Sequence, residues 1–90
     1  MALPYKKIEK IVKGFANHRR IQIIELLSKN PNLSVDQISQ NLNTDFYTIS
    51  DHIRKLADAG IIDKKYKGRF VLHTLTKRGK FILLFCKMFK

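Results

Sequence analysis

The chain has 90 residues, enough for one domain spanning residues 1–90, and its 44% hydrophobic content excludes a disordered chain. Lys and Arg number 18 against 7 Asp and Glu, a formal net charge of +11. This excess predicts attraction to a polyanion, with nucleic acid favoured over an anionic membrane surface. The single cysteine, Cys86, excludes an internal disulfide and a cysteine-rich zinc site.

The first third of the chain predicts two helices. Pro4 is acceptable in a first turn, and apolar residues then recur at helical spacing until Gly14, where the first helix is expected to end. Asn17 has the form of an N-cap for a second helix running to Leu27. A turn follows at residues 29–32, because the residue before Pro31 avoids helical geometry.

The next segment predicts a helix-turn-helix unit. Ser34 and Gln37 have the spacing of a capping box, which indicates a third helix of about two turns. A short polar turn at Asn43 and Thr44 leads into a fourth helix over 45–60, with Asp45 as its cap and Gly60 as its left-handed end. Two helices joined in this way form a helix-turn-helix.

The fourth helix is amphipathic and is the candidate recognition helix. Its apolar stripe, expected to face the core, is Phe46, Ile49, Ile53 and Leu56. The remaining surface is polar, and a helix of this kind fits the DNA major groove. The side chains predicted to contact DNA from this helix are Tyr47, Thr48, Ser50, Asp51, Arg54 and Lys55.

After Gly60 the pattern changes to that of a β-hairpin. Residues 61–66 and 69–75 predict two strands joined at Lys67 and Gly68. A cationic hairpin directly after a recognition helix is interpreted as a wing that contacts phosphate or the minor groove. The predicted DNA contacts on the wing are Lys64, Lys65, Lys67 and Arg69.

Thr76 predicts the cap of a last helix, which is apolar on nearly all sides. On a small domain such a helix needs a second surface to cover it, which favours a two-fold homodimer built from the first and last helices. The predicted interface residues are Ile8, Ile11, Val12, Phe15, Phe81, Leu84, Phe85 and Met88.

Four segments of the chain resemble the ArsR-type winged-helix repressors: 15–21 (FANHRRI), 33–38 (LSVDQI), 48–53 (TISDHI) and 56–62 (LADAGII). The resemblance covers essentially the full length. It implies a mainly α winged helix-turn-helix fold in the order α-α-α-α-β-β-α and dimerisation through the terminal helices. It also implies a transcriptional regulator that binds specific sequences in double-stranded DNA and acts as a repressor.

The chain departs from that family at its metal sensors. Ser34 and Asp36 stand where members often carry a Cys-x-Cys pair, and residues 76–90 contain no His or carboxylate side chain. The resemblance therefore does not imply metal sensing, and we expect neither a metal nor a cofactor. His18, His52 and His73 stand on separate predicted elements without a metal-binding spacing.

Other functions remain open at this point. No phosphate loop, nucleophile elbow or paired carboxylates point to an enzyme. A winged helix used for protein or RNA contact is the main alternative, because Phe46 and Tyr47 are large and Asp51 and Asp58 repel phosphate. A non-specific architectural DNA-binding protein is another. The start lacks a signal-peptide pattern and no apolar run could span a membrane, so we expect a cytoplasmic protein.

Overall fold

Five helices and one β-hairpin make up residues 2–90, the part of the chain that the structure, a computed structural model, describes. The elements in order are α1 (Tyr5–Phe15), α2 (His18–Lys29), α3 (Val35–Leu42), α4 (Phe46–Asp58), β1 (Ile62–Lys67), β2 (Phe70–Leu75) and α5 (Lys77–Lys87). The order is the one predicted from the sequence. No helix within residues 2–90 is long and apolar enough to cross a bilayer.

Side chains cap four of the helices, and all four caps are the predicted ones. Each cap oxygen accepts a backbone N–H of the first turn, which would otherwise lack a partner. At α3 the capping box is complete, because the Gln37 side chain also accepts the Ser34 amide at 2.9 Å. The cap residues are Asn17, Ser34, Asp45 and Thr76.

Several predicted boundaries are wrong by one or two residues. Pro4 lies outside α1 as its N-cap residue, and α2 continues past Leu27 to Lys29. The first helix ends at Phe15 rather than Gly14. Gly14 stays helical because α1 packs closely on α4 there: a Cβ on Gly14 would lie 2.5 Å from the Cβ of Ala59.

The hairpin turn also lies one residue later than predicted. Lys67 pairs with Phe70, so the two turn residues are Gly68 and Arg69 rather than Lys67 and Gly68. Gly68 has φ +62° at the first turn position, a backbone conformation that suits the twist of a two-residue hairpin and favours glycine. Strand β1 begins at Ile62 rather than Ile61, and the carbonyl of Ile61 accepts the amide and the hydroxyl of Thr76, both at 3.0 Å.

The core lies between α2, α3 and α4 and is closed by the start of β1 and one side of α5. The buried apolar residues are Ile23, Ile24, Leu27, Ile38, Ile49, Ile53, Leu56, Ala59, Ile61, Ile62, Ile82 and Leu83. Phe46 is not among them, which corrects the predicted inner stripe of the fourth helix. As the first residue of α4 it is 47% exposed, and its ring packs edge-to-face on Tyr47.

A short backbone bridge fixes the hairpin to the helix-turn-helix. The amide of His73 in β2 donates to the carbonyl of Leu33 at 2.9 Å, and the amide of Asn32 donates to the carbonyl of His73 at 3.0 Å. The His73 ring is buried, with Nδ1 lying 2.8 Å from the same Leu33 carbonyl. Burial lowers the pKa of His73, outweighing the opposite effect of this hydrogen bond. This bridge therefore joins the hairpin to the segment that leads into α3.

Candidate nucleic-acid interface

An open groove runs between the outer face of α4 and the hairpin. It brings together four of the six side chains predicted on the recognition helix with one predicted wing cation, Lys64. The groove is lined by Val35, Tyr47, Ser50, Asp51, Ile53, Arg54, Lys64, Val71 and His73. Ile49 and Leu56 point to the core from the other side of the helix, whereas Ile53, although buried, also lines the groove. The predicted two-faced character of α4 is thus present from its second turn onward.

The charges on the outer face of α4 form a network among themselves. The Asp51 carboxylate accepts from the guanidinium of Arg54 and lies 3.2 Å from the Lys55 ammonium, while Arg54 is also 3.9 Å from Asp58. Arg54 first, then Lys55, holds the pKa of Asp51 below its usual range. These pairs are exposed and add little to stability. Their effect is that two cations and two acids cancel on this face.

The first turn of α4 is ordered by its cap. The Thr48 hydroxyl donates to Asp45 at 2.6 Å and the Thr48 amide donates to the same carboxylate at 3.0 Å. The hydroxyl bond is the main reason that the pKa of Asp45 is below its usual value. Thr48 therefore uses its hydroxyl within the protein, whereas Tyr47 is 82% exposed and extends from the start of the helix.

Three of the four predicted wing cations lie on the two faces of the hairpin, and the fourth lies in its turn. Side chains alternate along a strand, so Lys64 faces α4 whereas Lys65 and Lys67 face away. Arg69 lies in the turn at the tip. All four are exposed. The hairpin therefore presents cations beside the groove, on its outer face and at its end.

Lys55 belongs to a different part of the surface from the groove. It lines a second cleft, between α1, α2 and the end of α4, together with Lys10, Lys13, Arg20 and Asp58. Lys55 still contacts Asp51 across the edge of α4. The structure therefore separates one predicted recognition-helix cation from the others.

A separate apolar groove opens between α1 and α5. Its lining contains six of the eight predicted interface residues, and the full set is Ile8, Ile11, Val12, Phe15, Arg78, Phe81, Ile82 and Phe85. The other two do not line the groove: Leu84 is exposed on α5, and Met88 is exposed directly after it. Cys86 is half-buried, and burial raises the pKa of its thiol.

Sequence reasoning assigned no role to one contact beside the recognition helix. The Arg20 Nε donates to His52 Nδ1 at 3.1 Å, which joins α2 to α4. The two residues are 32 positions apart, and their spacing gives no signal. Within residues 2–90, no group of three or more His, Cys, Asp or Glu side chains lies close enough to hold a metal ion.

Taken together, a capped helix-turn-helix, an amphipathic second helix of that unit and a cationic hairpin fixed beside it define a winged helix-turn-helix domain. Residues 17–64 match the family described as "Bacterial regulatory protein, arsR family". The chain belongs to this family and is a DNA-binding transcriptional regulator rather than an enzyme.

Individual relatives agree with this assignment. An uncharacterized HTH-type transcriptional regulator of Methanocaldococcus jannaschii is 34% identical over 64 residues, which are 71% of this chain and 72% of the relative. The structure of HlyU from Vibrio cholerae has a TM-score of 0.80 at 29% identity, covering 98% of this chain and 97% of that one. HlyU is named a transcriptional activator.

A third likeness concerns the fold alone. A winged helix-turn-helix DNA-binding domain of Mycobacterium bovis, described as homodimeric and as a possible ArsR-family regulator, has a TM-score of 0.85 at 19% identity. The match covers 93% of this chain and 78% of that domain.

Proposed function

We propose that the protein binds specific sequences in double-stranded DNA, as a homodimer, and reads them with the outer face of α4. The observation that carries the proposal is the groove that places Tyr47, Ser50, Asp51 and Arg54 on one accessible face. The opposite face of the same helix is buried in the core. A helix held in this way can enter the major groove without disturbing the fold.

The side chains of this face suit base edges. Asp51 can accept a hydrogen bond from the amino group of cytosine, and Arg54 can donate to guanine or to a phosphate. Ser50 and Asp51 are short and reach base edges only when the start of the helix is inserted deeply. Asp51 already orients Arg54 in the free protein, so the pair is arranged before DNA arrives.

The wing supplies the attraction that the recognition helix lacks. Because the charges on the outer face of α4 cancel, the phosphates are contacted by cations of the hairpin, namely Lys64, Lys65, Lys67 and Arg69. These contacts are independent of sequence and are expected to hold the protein in register on the duplex. The bridge between Leu33 and His73 keeps the wing at a fixed position beside α4.

The apolar groove between α1 and α5 supports the proposed dimer. Phe81, Phe85 and Val12 line or border it and are exposed in a single chain, an arrangement that a second copy would cover. The similar Mycobacterium bovis domain is described as homodimeric. Two-fold symmetry would place the two α4 helices in half-sites about 10 base pairs apart, so the preferred site would be palindromic.

We further propose that the regulator acts as a repressor and does not sense metal through the family's α3 position. A dimer that covers two half-sites excludes other proteins from that duplex, which favours repression. Ser34, at one sensor position, uses its hydroxyl to cap α3. Transcription in vitro from a promoter carrying the selected site should fall when the protein is added, and a rise would identify an activator instead.

Selection of bound duplexes from a random pool at about 0.15 M salt tests the main proposal, since specificity has meaning only at a stated salt concentration. We expect enrichment of one palindrome. Binding without sequence preference would indicate an architectural protein. Failure to bind any duplex would favour a module for protein or RNA contact, and the exposed Phe46–Tyr47 pair would then be the first surface to study.

Two sets of variants distinguish the proposed base contacts of α4 from the proposed phosphate contacts of the hairpin. Ser50→Ala with Arg54→Ala should cost about 1–3 kcal/mol for each lost base contact and reduce the preference for the palindrome. Lys67→Ala should instead weaken binding to all duplexes alike and reduce the salt slope by about one unit. If the two sets gave the same pattern, the assignment of α4 to base contacts would be wrong.

A further inference from the structure

Arg20 joins three helices through one side chain. It extends from the first turn of α2, and its Nη1 donates to the carbonyls of Lys13 at 3.2 Å and Gly14 at 3.3 Å, in the last turn of α1. Its Nε donates to Nδ1 of His52, in the middle of α4, at 3.1 Å. One guanidinium therefore links the helix that borders the apolar groove to the helix proposed to read DNA.

His52 completes this link only in its neutral form. Nδ1 must present a lone pair to accept the Arg20 Nε–H, and a protonated imidazole has none there. Protonation would also set two cations against each other. His52 is half-buried, and desolvation first, then the charge of Arg20, lowers its pKa below the ordinary value of 6.5. Lys55 and Arg19 act in the same direction, and Asp51 acts against them.

We infer that Arg20 and His52 are positioning residues, which fix α4 relative to the dimer-forming helix α1 and release it when His52 gains a proton. This inference rests on the proposed DNA binding. In a dimer, the separation of the two reading helices depends on how each α4 is held against α1. A contact from Arg20 to both elements sets that distance, and the close packing of Gly14 on Ala59 lies beside it.

The inference gives DNA affinity a pH dependence of definite sign. If the DNA-bound dimer requires neutral His52, protons compete with DNA, and affinity falls as the pH drops through the His52 titration. The field of the DNA phosphates alone acts in the opposite direction, because negative charge favours the protonated imidazole. The sign of the His52-dependent effect therefore distinguishes positioning from simple electrostatics.

The first experiment examines the contact in the free protein. NMR titration of the imidazole signals gives the pKa of His52 in the wild type and in Arg20→Gln. We expect a higher pKa in the variant, because a hydrogen bond to the neutral form and a nearby cation are both lost. An unchanged pKa would overturn the inference. This result does not depend on DNA, so it stays informative even if the proposed function fails.

The second experiment measures binding of the selected palindrome between pH 7.5 and 5.5. Wild-type affinity should fall as the pH drops through the His52 titration, by at most about ten-fold per protomer for each unit by which DNA binding lowers the pKa of His52. His52→Asn keeps an acceptor near the Nδ1 position but cannot titrate, so its affinity should lose most of this pH dependence. The same slope in both proteins, or a His52-dependent rise in affinity at acid pH, would overturn the inference.

Arg20→Lys serves as the matched variant, because it keeps the charge but has a single ammonium nitrogen, which cannot take the places of both Nε at His52 and Nη1 at the carbonyls of α1. We expect the variant to bind the palindrome more weakly at pH 7.5. The loss of affinity should be largest for the palindrome with the spacing between half-sites that the wild type selects. Palindromes with spacers altered by one base pair should be less affected. If all spacings lost affinity equally, Arg20 would contribute only to stability or general charge. Circular dichroism at each pH confirms that the compared proteins are folded.

Discussion

Asp51 determines how much charge the outer face of α4 presents, because its carboxylate engages both Arg54 and Lys55. An acid at this position repels phosphate, so its presence favours discrimination over affinity. We therefore predict that Asp51→Asn raises the affinity of the protein for all duplexes. The difference in binding free energy between the palindrome and a scrambled duplex should decrease by about 1–3 kcal/mol. Binding to the selected duplex and to a scrambled duplex measures both effects.

Glu25→Gln is the control for this prediction. It makes the same change in net charge on α2, where Glu25 is exposed beside α5 and outside the groove between α4 and the hairpin. It should raise affinity only slightly and leave the preference intact. An Asp51→Asn protein with undiminished preference would show that this carboxylate reads no base.

Buried His73 predicts loss of stability in acid. Its native pKa lies below the ordinary value of 6.5, so near pH 6 the unfolded chain binds more protons than the folded one. The free energy of unfolding is therefore highest above about pH 6.5 and decreases as the pH falls below it. His52, whose pKa is also lowered, adds an effect of the same sign.

Urea unfolding at pH 7.5 and 5.5 measures this decrease. His73→Gln keeps a donor for the Leu33 carbonyl but removes the titration, so it should lose less stability between the two pH values than the wild type does. His18→Gln is the control, because His18 is exposed at the start of α2. A wild-type stability independent of pH would contradict the prediction.

Packing between elements is tightest where α1 crosses α4. The added methyl of Gly14→Ala would meet the Cβ of Ala59 at 2.5 Å, which forces the helices apart. Overpacking typically costs about 1–3 kcal/mol, and alanine's better helix propensity returns up to about 1 kcal/mol. We predict a net destabilisation of about 1 kcal/mol, measured by urea unfolding.

Exchange of the two small residues tests the cause. Gly14→Ala combined with Ala59→Gly returns a single methyl to the crossing, and Ala59 is the C-cap residue of α4, where glycine is tolerated. The double variant should recover most of the lost stability. If it did not, the loss would come from a source other than this contact.

The elements themselves were predictable because their signals are local. The caps Asn17, Ser34, Asp45 and Thr76 act within three residues of themselves, and the periodicity of α4 predicted which of its sides is exposed. Gly14 was interpreted as a helix end because glycine is a weak helix former, yet a tertiary contact keeps it helical. Periodicity likewise placed Phe46 on the inner stripe, although the first residue of α4 lies outside the core.

Contacts between distant parts of the chain were not predictable. Arg20 meets His52 across 32 positions, and His73 meets Leu33 across 40. No pattern in one sequence specifies such pairs, because they depend on how the helices pack. The sequence therefore predicted which side chains lie on the outer face of α4, and the structure was needed to identify the contacts that hold this helix in place.

For the whole molecule, the apolar groove between α1 and α5 predicts that assembly can be disrupted by one charge. Phe81 lines the groove and is 71% exposed in the single chain. Phe81→Asp should dissociate the proposed dimer, because the interface would have to desolvate a carboxylate. Sedimentation equilibrium over a range of protein concentrations measures the change.

Phe70→Asp is the control for assembly, since Phe70 is 61% exposed on the hairpin and does not line the groove. It should leave the sedimentation of the wild type unchanged. A wild-type protein that is monomeric at tens of micromolar, about the range in which stable dimers persist, would contradict the proposed dimer directly.

The unpaired edge of the hairpin affects whether free copies of the protein associate with one another. Within residues 2–90, β1 pairs only with β2, so its other edge exposes backbone groups on which a strand of a neighbouring molecule could add. Every residue of β1 after Ile62 is exposed, and three of the five are lysines. Lysines along an open edge prevent such pairing, because two copies would bring like charges together. The cations proposed to hold phosphate thereby also keep free copies of the protein from polymerising edge to edge.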